Sequence, residues 1–186
     1  MKIEKMSISG AWQVYSPVMM DNRGAFKEWF KQPESLEQTG SVFNVSQSNV
    51  SKSKKGVIRG IHYSLNPAGQ WKWISCVSGS ILDVVVDIRI DSPTFGNFEE
   101  VELNGSNGKS ILIQGNLGHA FQSLSEDAIV VYNINSVYMP EYEKDINPLD
   151  KFLNIRWPIF PQILSEKDSK ALYLQDKLKL GELPYA

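Results

Sequence analysis

One short string, Gly56-Val-Ile-Arg-Gly-Ile-His-Tyr63, puts a histidine three residues after an arginine. Histidine is the side chain whose ordinary pKa lies near neutrality, and the chain has two, His62 and His119. A base beside a fixed cation, His62 beside Arg59, is what an enzyme needs to remove a carbon-bound proton and hold the resulting oxyanion. The plainer reading is a strand histidine hydrogen-bonded in place and an arginine in a surface ion pair.

Three further residues could join such chemistry. Lys72, in Gln70-Trp-Lys-Trp73, is either an ammonium near an oxyanion or phosphate, or a lysine on a solvated strand face with its stem over a tryptophan. The two flanking tryptophans would also suit a platform for a sugar or a base. Tyr132, in Val130-Val-Tyr-Asn133, is either a core tyrosine or a phenol placed to donate a proton. Asp168 follows Ser165 in a Ser-x-x-Asp capping box, so its carboxylate either caps a helix or fixes the tautomer of His62. A metal triad of His62, His119 and a carboxylate has no supporting cluster of ligand-spaced residues. No Gly-x-Gly-x-x-Gly or P-loop string occurs. Asp21-Asn-Arg-Gly24 reads as a turn that offers Arg23 to an anion, or as an ordinary hairpin tip.

The elements that must position these residues are short strands. Ile81 to Arg89 has apolar Leu82, Val84, Val86 and Ile88 at even positions, and Asp83, Asp87 and Arg89 among the odd ones. That period of two predicts a strand with a dry face and a polar face. Inside a barrel the polar face would line a ligand cavity, with Asp83 and Asp87 binding there or orienting the histidines. Val42–Val45, Val57-Ile58, Trp73–Val77, Glu99–Leu103, Ser110–Gln114 and Ile129–Ile134 read as further strands, separated by Gly, Asn, Ser and Pro. Many short strands with close turn signals predict a mainly β sandwich or barrel. Helix is expected only in Pro33–Gln38 and after Ser165.

Size and charge narrow the partners. With 186 residues, one domain over 1–186 is expected, its last ~10 residues a tail. A net charge of -2 and a pI near 5.7 argue against a nucleic-acid binder. They leave room for a small anionic ligand. One cysteine, Cys76, excludes an internal disulfide and a multi-cysteine zinc site. No apolar run approaches the ~20 residues that span a bilayer, and no secretory signal is visible. The expected compartment is the cytoplasm.

Taken in order, several strings resemble one family. They are Asp21-Asn-Arg-Gly24, Phe26-Lys-Glu28, Gln47-Ser-Asn49, Ser51 through His62, Asp83 through Arg89, Ser92-Pro-Thr-Phe-Gly96, Gly118-His-Ala-Phe121, Tyr132, Trp157-Pro158 and Leu164-Ser-Glu-Lys-Asp168. They resemble the dTDP-4-dehydrorhamnose 3,5-epimerases and the related dTDP-4-keto-6-deoxyhexose 3-epimerases, over about residues 10 to 175. The resemblance implies a cupin-type jelly-roll barrel with a few short helices, a homodimer, and no metal or organic cofactor. It implies a nucleotide-sugar substrate, and epimerisation through an enolate at C3 and C5, or at C3 alone. His62 becomes the base, Asp168 its partner carboxylate, Lys72 the cation at the enolate oxygen and Tyr132 the acid. Arg23 and Arg59 would hold the diphosphate. Glu28, Gln47 and Asn49 would lie near the nucleobase, with Phe26 stacking. His119, with Asp83, would line the cavity. Trp71-Lys-Trp-Ile74, His119-Ala-Phe121 and Ser64 depart from the family's usual strings.

Two readings from other classes stay open at this point. A non-catalytic sugar-nucleotide binding barrel would bind without exchanging protons with solvent. A ketoisomerase on a related barrel would move the carbonyl instead of inverting a stereocentre.

Overall fold

A computed structural model describes residues 1–32, 39–67 and 69–186; the helix expected over Pro33–Gln38 lies outside them. Among the described residues the protein is built from thirteen strands and two short helices. The strands are β1 (Lys2–Lys5), β2 (Ala11–Tyr15), β3 (Val18–Asp21), β4 (Gly24–Lys27), β5 (Gln47–Ser53), β6 (Ile58–Ser64) and β7 (Lys72–Ser78). They continue as β8 (Ser80–Val86), β9 (Phe98–Asn104), β10 (Lys109–Ile113), β11 (Gly118–Ser123), β12 (Ala128–Ile134) and β13 (Glu143–Asp145). The helices are α1 (Glu166–Lys170) and α2 (Leu174–Lys179). None of the described helices is long and apolar enough to cross a membrane.

Two antiparallel sheets face each other. One runs β1-β2-β10-β7-β12-β5 and the other β13-β6-β11-β8-β9. This is the mainly β sandwich or barrel that the strand pattern predicts and, more narrowly, the jelly roll that the resemblance implies. Gly79, at φ +71°, turns the chain from β7 in the first sheet into β8 in the second. Its left-handed conformation suits glycine at a one-residue corner.

Side-chain alternation sorts the strands into three apolar layers. Ile74, Cys76, Ile81, Val85, Leu103, Ile111, Phe121 and Val130 fill the space between the sheets. The outer face of the second sheet, with Ile61, Tyr63, Val84 and Val86, is covered by the C-terminal segment through Ile146, Leu153, Trp157, Leu174 and Leu183. The outer face of the first sheet holds Trp12, Leu112 and Trp73 under Phe43, with Trp29, Phe30 and Trp71 packed against them. Each large aliphatic side chain buried this way contributes about 1.5–3 kcal/mol.

The strand expected over Ile81–Arg89 ends at Val86. Beyond it Asp87 takes up the loop, accepting from Arg89 Nε at 2.9 Å, Ser92 Oγ at 2.6 Å and Thr94 Oγ1 at 2.5 Å. Burial alone would raise the Asp87 carboxyl, but these donors outweigh it and hold its pKa down at about 2. Asp87 is therefore a loop anchor, not the inward residue expected to bind in the cavity or orient a histidine. Val42–Val45 is not a strand either: among the described residues no neighbour pairs with it. Phe43 drops into the outer layer, 5.7 Å from Phe30 ring to ring, while Val42 and Val45 stay exposed.

Candidate active site

The two sheets part at one end around a cavity of about 590 Å³. β6 brings two side chains into it through an irregularity. Arg59 is opposite Phe121 on β11, and His62 is opposite His119, so three steps on β6 match two on β11. The extra residue resets the alternation. Ile58 and Ile61 pack outward in the covered layer, while Arg59 and His62 both line the cavity. Gly60 sits at the irregularity with φ +117°, and a Cβ there would lie 2.5 Å from the His119 carbonyl oxygen. Only glycine fits so close to β11 in that conformation.

His62 Nε2 lies 2.7 Å from Asp168 Oδ1. Asp168 is on α1, whose N-cap Ser165 accepts from the Asp168 backbone N–H at 3.0 Å. The cap is made by the serine, so the capping reading and the partner-carboxylate reading both hold in part, and the Asp168 carboxylate turns to His62. Burial would raise the Asp168 carboxyl. Hydrogen bonds from His62, Ser165 and the Gly60 backbone N–H, with the nearby imidazole charge, outweigh it and hold the pKa below the usual carboxylate range.

The first sheet supplies the opposite wall. Lys72, 8% exposed, points inward from β7 and donates from Nζ to the His62 carbonyl oxygen at 3.4 Å. It is not on a solvated face, as one reading had it. Burial lowers its pKa to about 8, against the opposing pull of Glu143 and Asp83. Tyr132 reaches the cavity from β12. Its phenol is raised by burial, with Arg59 opposing and Glu143 reinforcing, so it keeps its proton through neutral pH. His119 lies in an adjoining recess with His62, Lys72 and Tyr132. Its Nε2 is 2.8 Å from Asp83 Oδ2, the inward role expected of Asp83.

Gln47 and Asn49 line the cavity from β5 and hydrogen-bond to each other at 2.8 Å. The Arg59 guanidinium donates to Ser53 Oγ at 3.0 Å and the Lys52 carbonyl at 3.2 Å, which aims it along the same strand. Gln70, Tyr138, Glu143, Lys144 and Lys167 also line the cavity, and sequence reasoning missed their part in it. Gln70 has the one available signal, an inward spacing of two from Lys72 on a period-two pattern.

Arg23, Phe26 and Glu28 are not brought to this cavity. Arg23 and Phe26 lie on the β3–β4 hairpin, which forms its own two-stranded sheet. Arg23 is paired with Asp21 at 2.6 Å in solvent, and Glu28 is exposed just beyond the hairpin. Met20 and Phe26 are 72% and 62% exposed. The tryptophan platform is also corrected. Trp71 and Trp73 alternate with Lys72 and so face away from the cavity. Trp71 stacks on Trp12 at 5.7 Å, and Trp73 donates to the Trp29 carbonyl at 2.9 Å. Among the described residues no three histidine, cysteine or acidic side chains are grouped to hold a metal ion.

A family model described as dTDP-4-dehydrorhamnose 3,5-epimerase matches residues 5–176. The chain is 40% identical over 185 residues to a dTDP-4-dehydrorhamnose 3,5-epimerase of Mycolicibacterium smegmatis, covering 99% of this chain and 91% of that one. Its fold is similar to NovW, a 4-keto-6-deoxy sugar epimerase of Streptomyces spheroides. The TM-score is 0.97 at 35% identity, covering 99% of this chain and 92% of that one. It is also similar to ChmJ, a 3'-monoepimerase from Streptomyces bikiniensis in complex with dTDP-quinovose. Here the TM-score is 0.95 at 42% identity, covering 98% of this chain and 92% of that one.

Proposed function

The chain belongs to the dTDP-4-dehydrorhamnose 3,5-epimerase family, and from that premise we propose that it inverts C3 and C5 of a dTDP-linked 4-keto-6-deoxyhexose. The observation that carries the reading is the disposition of acid and base. His62, with its carboxylate, stands on one sheet, Tyr132 stands on the other, and the buried Lys72 reaches between them.

A C4 ketone makes the protons at C3 and C5 removable. His62 takes the C3 proton, and Asp168 stabilises the imidazolium that forms. The electron pair of the broken C–H bond moves into the C3–C4 bond and the carbonyl electrons onto the C4 oxygen. Lys72, itself buried, supplies the positive charge that this enolate needs. Tyr132 returns a proton to C3 from the opposite face, the carbonyl re-forms and the centre is inverted. Solvent then resets both groups, and the same sequence at C5 completes the double inversion. General acid–base chemistry contributes about 10²–10⁴-fold, so charge stabilisation of the enolate must supply much of the remainder.

Arg59 would hold the diphosphate, and Gln47 and Asn49 would lie toward the nucleobase. We also propose a homodimer in which Arg23, Phe26 and Glu28 complete the site of a second copy. The exposed apolar hairpin supports this, because Met19, Met20 and Phe26 stand in solvent on a two-stranded sheet. A nucleotide-linked substrate and a single free cysteine favour the cytoplasm.

Likeness to a 3'-monoepimerase, at 42% identity, favours a second reading in which only C3 is inverted. The two are separated by incubating the protein with dTDP-4-keto-6-deoxyglucose in D₂O and following both carbons by NMR. Deuterium at C3 and C5 is expected. Deuterium at C3 alone would sink the double inversion.

A further inference from the structure

We infer that Gln70 and Glu143 are positioning residues for Lys72: the Gln70 amide fixes the Glu143 carboxylate in the cavity wall, and that fixed negative charge keeps the buried amine a cation. The inference rests on the reading of Lys72 as the enolate's counter-charge.

Among the described residues Lys72 is a buried lysine without a direct ion pair. Its one hydrogen bond among the described residues goes to a neutral carbonyl, that of His62. Burying an ammonium this way favours the neutral amine. A neutral amine would offer the enolate a hydrogen bond but no charge. Some negative group must therefore hold the proton on, and the carboxylates near the cavity differ in how free they are. Asp168 is engaged by His62. Asp83 has one oxygen on His119, and its other oxygen is buried without a partner. Glu143 makes no ion pair among the described residues, and one oxygen is held by Gln70 Nε2 at 2.9 Å. The cations Arg59, Lys144 and Lys167 line the same cavity and oppose the charge on Lys72, while His62, His119 and Tyr132 face it as titratable neighbours.

The Gln70–Glu143 bond joins the two sheets. Gln70 lies two residues before Lys72, at the entry to β7, and is buried. Glu143 begins β13, which pairs with β6 so that Glu143 meets Ser64 and Asp145 meets His62. A buried amide between a lysine's strand and a carboxylate's strand fixes the separation of the two charges. Charge separation sets the Coulomb energy in a site of low dielectric. Burial acts on Lys72 in one direction and the pull of Glu143, with a smaller one from Asp83, in the other, consistent with the pKa near 8.

The test titrates Lys72 itself without substrate. Protein carrying lysine labelled with ¹³C at Cε is followed by NMR against pH, and the Lys72 signal is assigned by its loss in Lys72→Arg. A midpoint near 8 is expected for the unaltered protein. Glu143→Gln, which keeps shape and loses charge, should lower it by about one pH unit. Gln70→Ala should lower it in the same direction by less, because the carboxylate is kept but no longer held. Thermal unfolding of each variant reports whether it is folded. The alkaline limb of kcat in the D₂O exchange assay should move down with the midpoint. An unmoved midpoint in folded Glu143→Gln overturns the inference. A lowered midpoint with an unmoved alkaline limb upholds the charge pairing and overturns instead the role given to Lys72.

Discussion

Arg59 and His62 are three residues apart on one strand and face the same cavity, because the strand gains a residue against β11 between them. Gly60 carries that irregularity at φ +117°, pressed on the His119–Ala120 backbone. Gly60→Ala is therefore expected to cost about 1–3 kcal/mol from backbone strain, with the clash against β11 adding to it. Activity should fall further than stability does, because the face of His62 depends on the bulge. Thermal unfolding and C3 deuterium exchange measured on the same preparation check both.

The His62–Asp168 pair predicts a split between rate and binding. Asp168→Asn should reduce kcat by about 10²–10⁴-fold and leave KM within a few-fold, since neither group is needed to hold the nucleotide. A fall in affinity with kcat intact would contradict the assignment. Stability supplies a second readout. The Asp168 pKa is depressed in the folded state, so its contribution is present above the unfolded value of 3.8 and is lost as pH falls through the lower folded value. The variant should be the less stable at pH 7, and the difference should close in acid.

Substituting Lys72 should have the opposite effect on stability at pH 7. Its folded pKa of about 8 lies below the ordinary 10.5. Between these values the unfolded chain holds a proton that the folded chain has released, so stability rises with pH across that window. Below pH 8 the folded protein carries the whole burden of the buried charge, about 3 kcal/mol at about 1.4 kcal/mol per pH unit. Lys72→Met should abolish exchange at C3 and C5 while unfolding at a higher temperature at pH 7. That advantage should shrink as the pH approaches 10.5. Chemical denaturation at pH 7 and at pH 10 measures it.

A dimer that exchanges its β3–β4 hairpins predicts complementation. Arg23→Ala and His62→Ala should each be weak or inactive alone. Unfolded together and refolded as a mixture, they form hybrids in which one cavity has its own His62 and the other copy's Arg23, and activity should return. Mixtures no more active than the parents would mean that Arg23 serves its own chain or none.

The legible parts of the chain were those where burial follows a simple period. Leu82, Val84 and Val86 declared the covered face of β8, and Asp83 on the alternate face turned inward as expected. β5 was not legible, although it carries Gln47 and Asn49. Its inward positions are polar because they line a cavity, and its outward positions such as Val50 are exposed, so no hydrophobic alternation marks it. Strict alternation would also have put Arg59 and His62 on opposite faces, so the pairing read from their closeness in sequence needed the irregularity in β6 to become a shared face. Glu143 lies on a strand of three residues, too short for any period to show. The tryptophans beside Lys72 misled for the converse reason: adjacency in sequence is opposition in a strand.

The base and its carboxylate are 106 residues apart in the chain, and α1 is held over the sheet by a segment whose Leu174 and Leu183 are packed on β6 and β8. A chain leaving the ribosome therefore has made its strands, Lys72 and Tyr132 before it has made the carboxylate that His62 meets. In the proposed reaction, the His62–Asp168 pair can form only once this last-made segment has docked on the barrel.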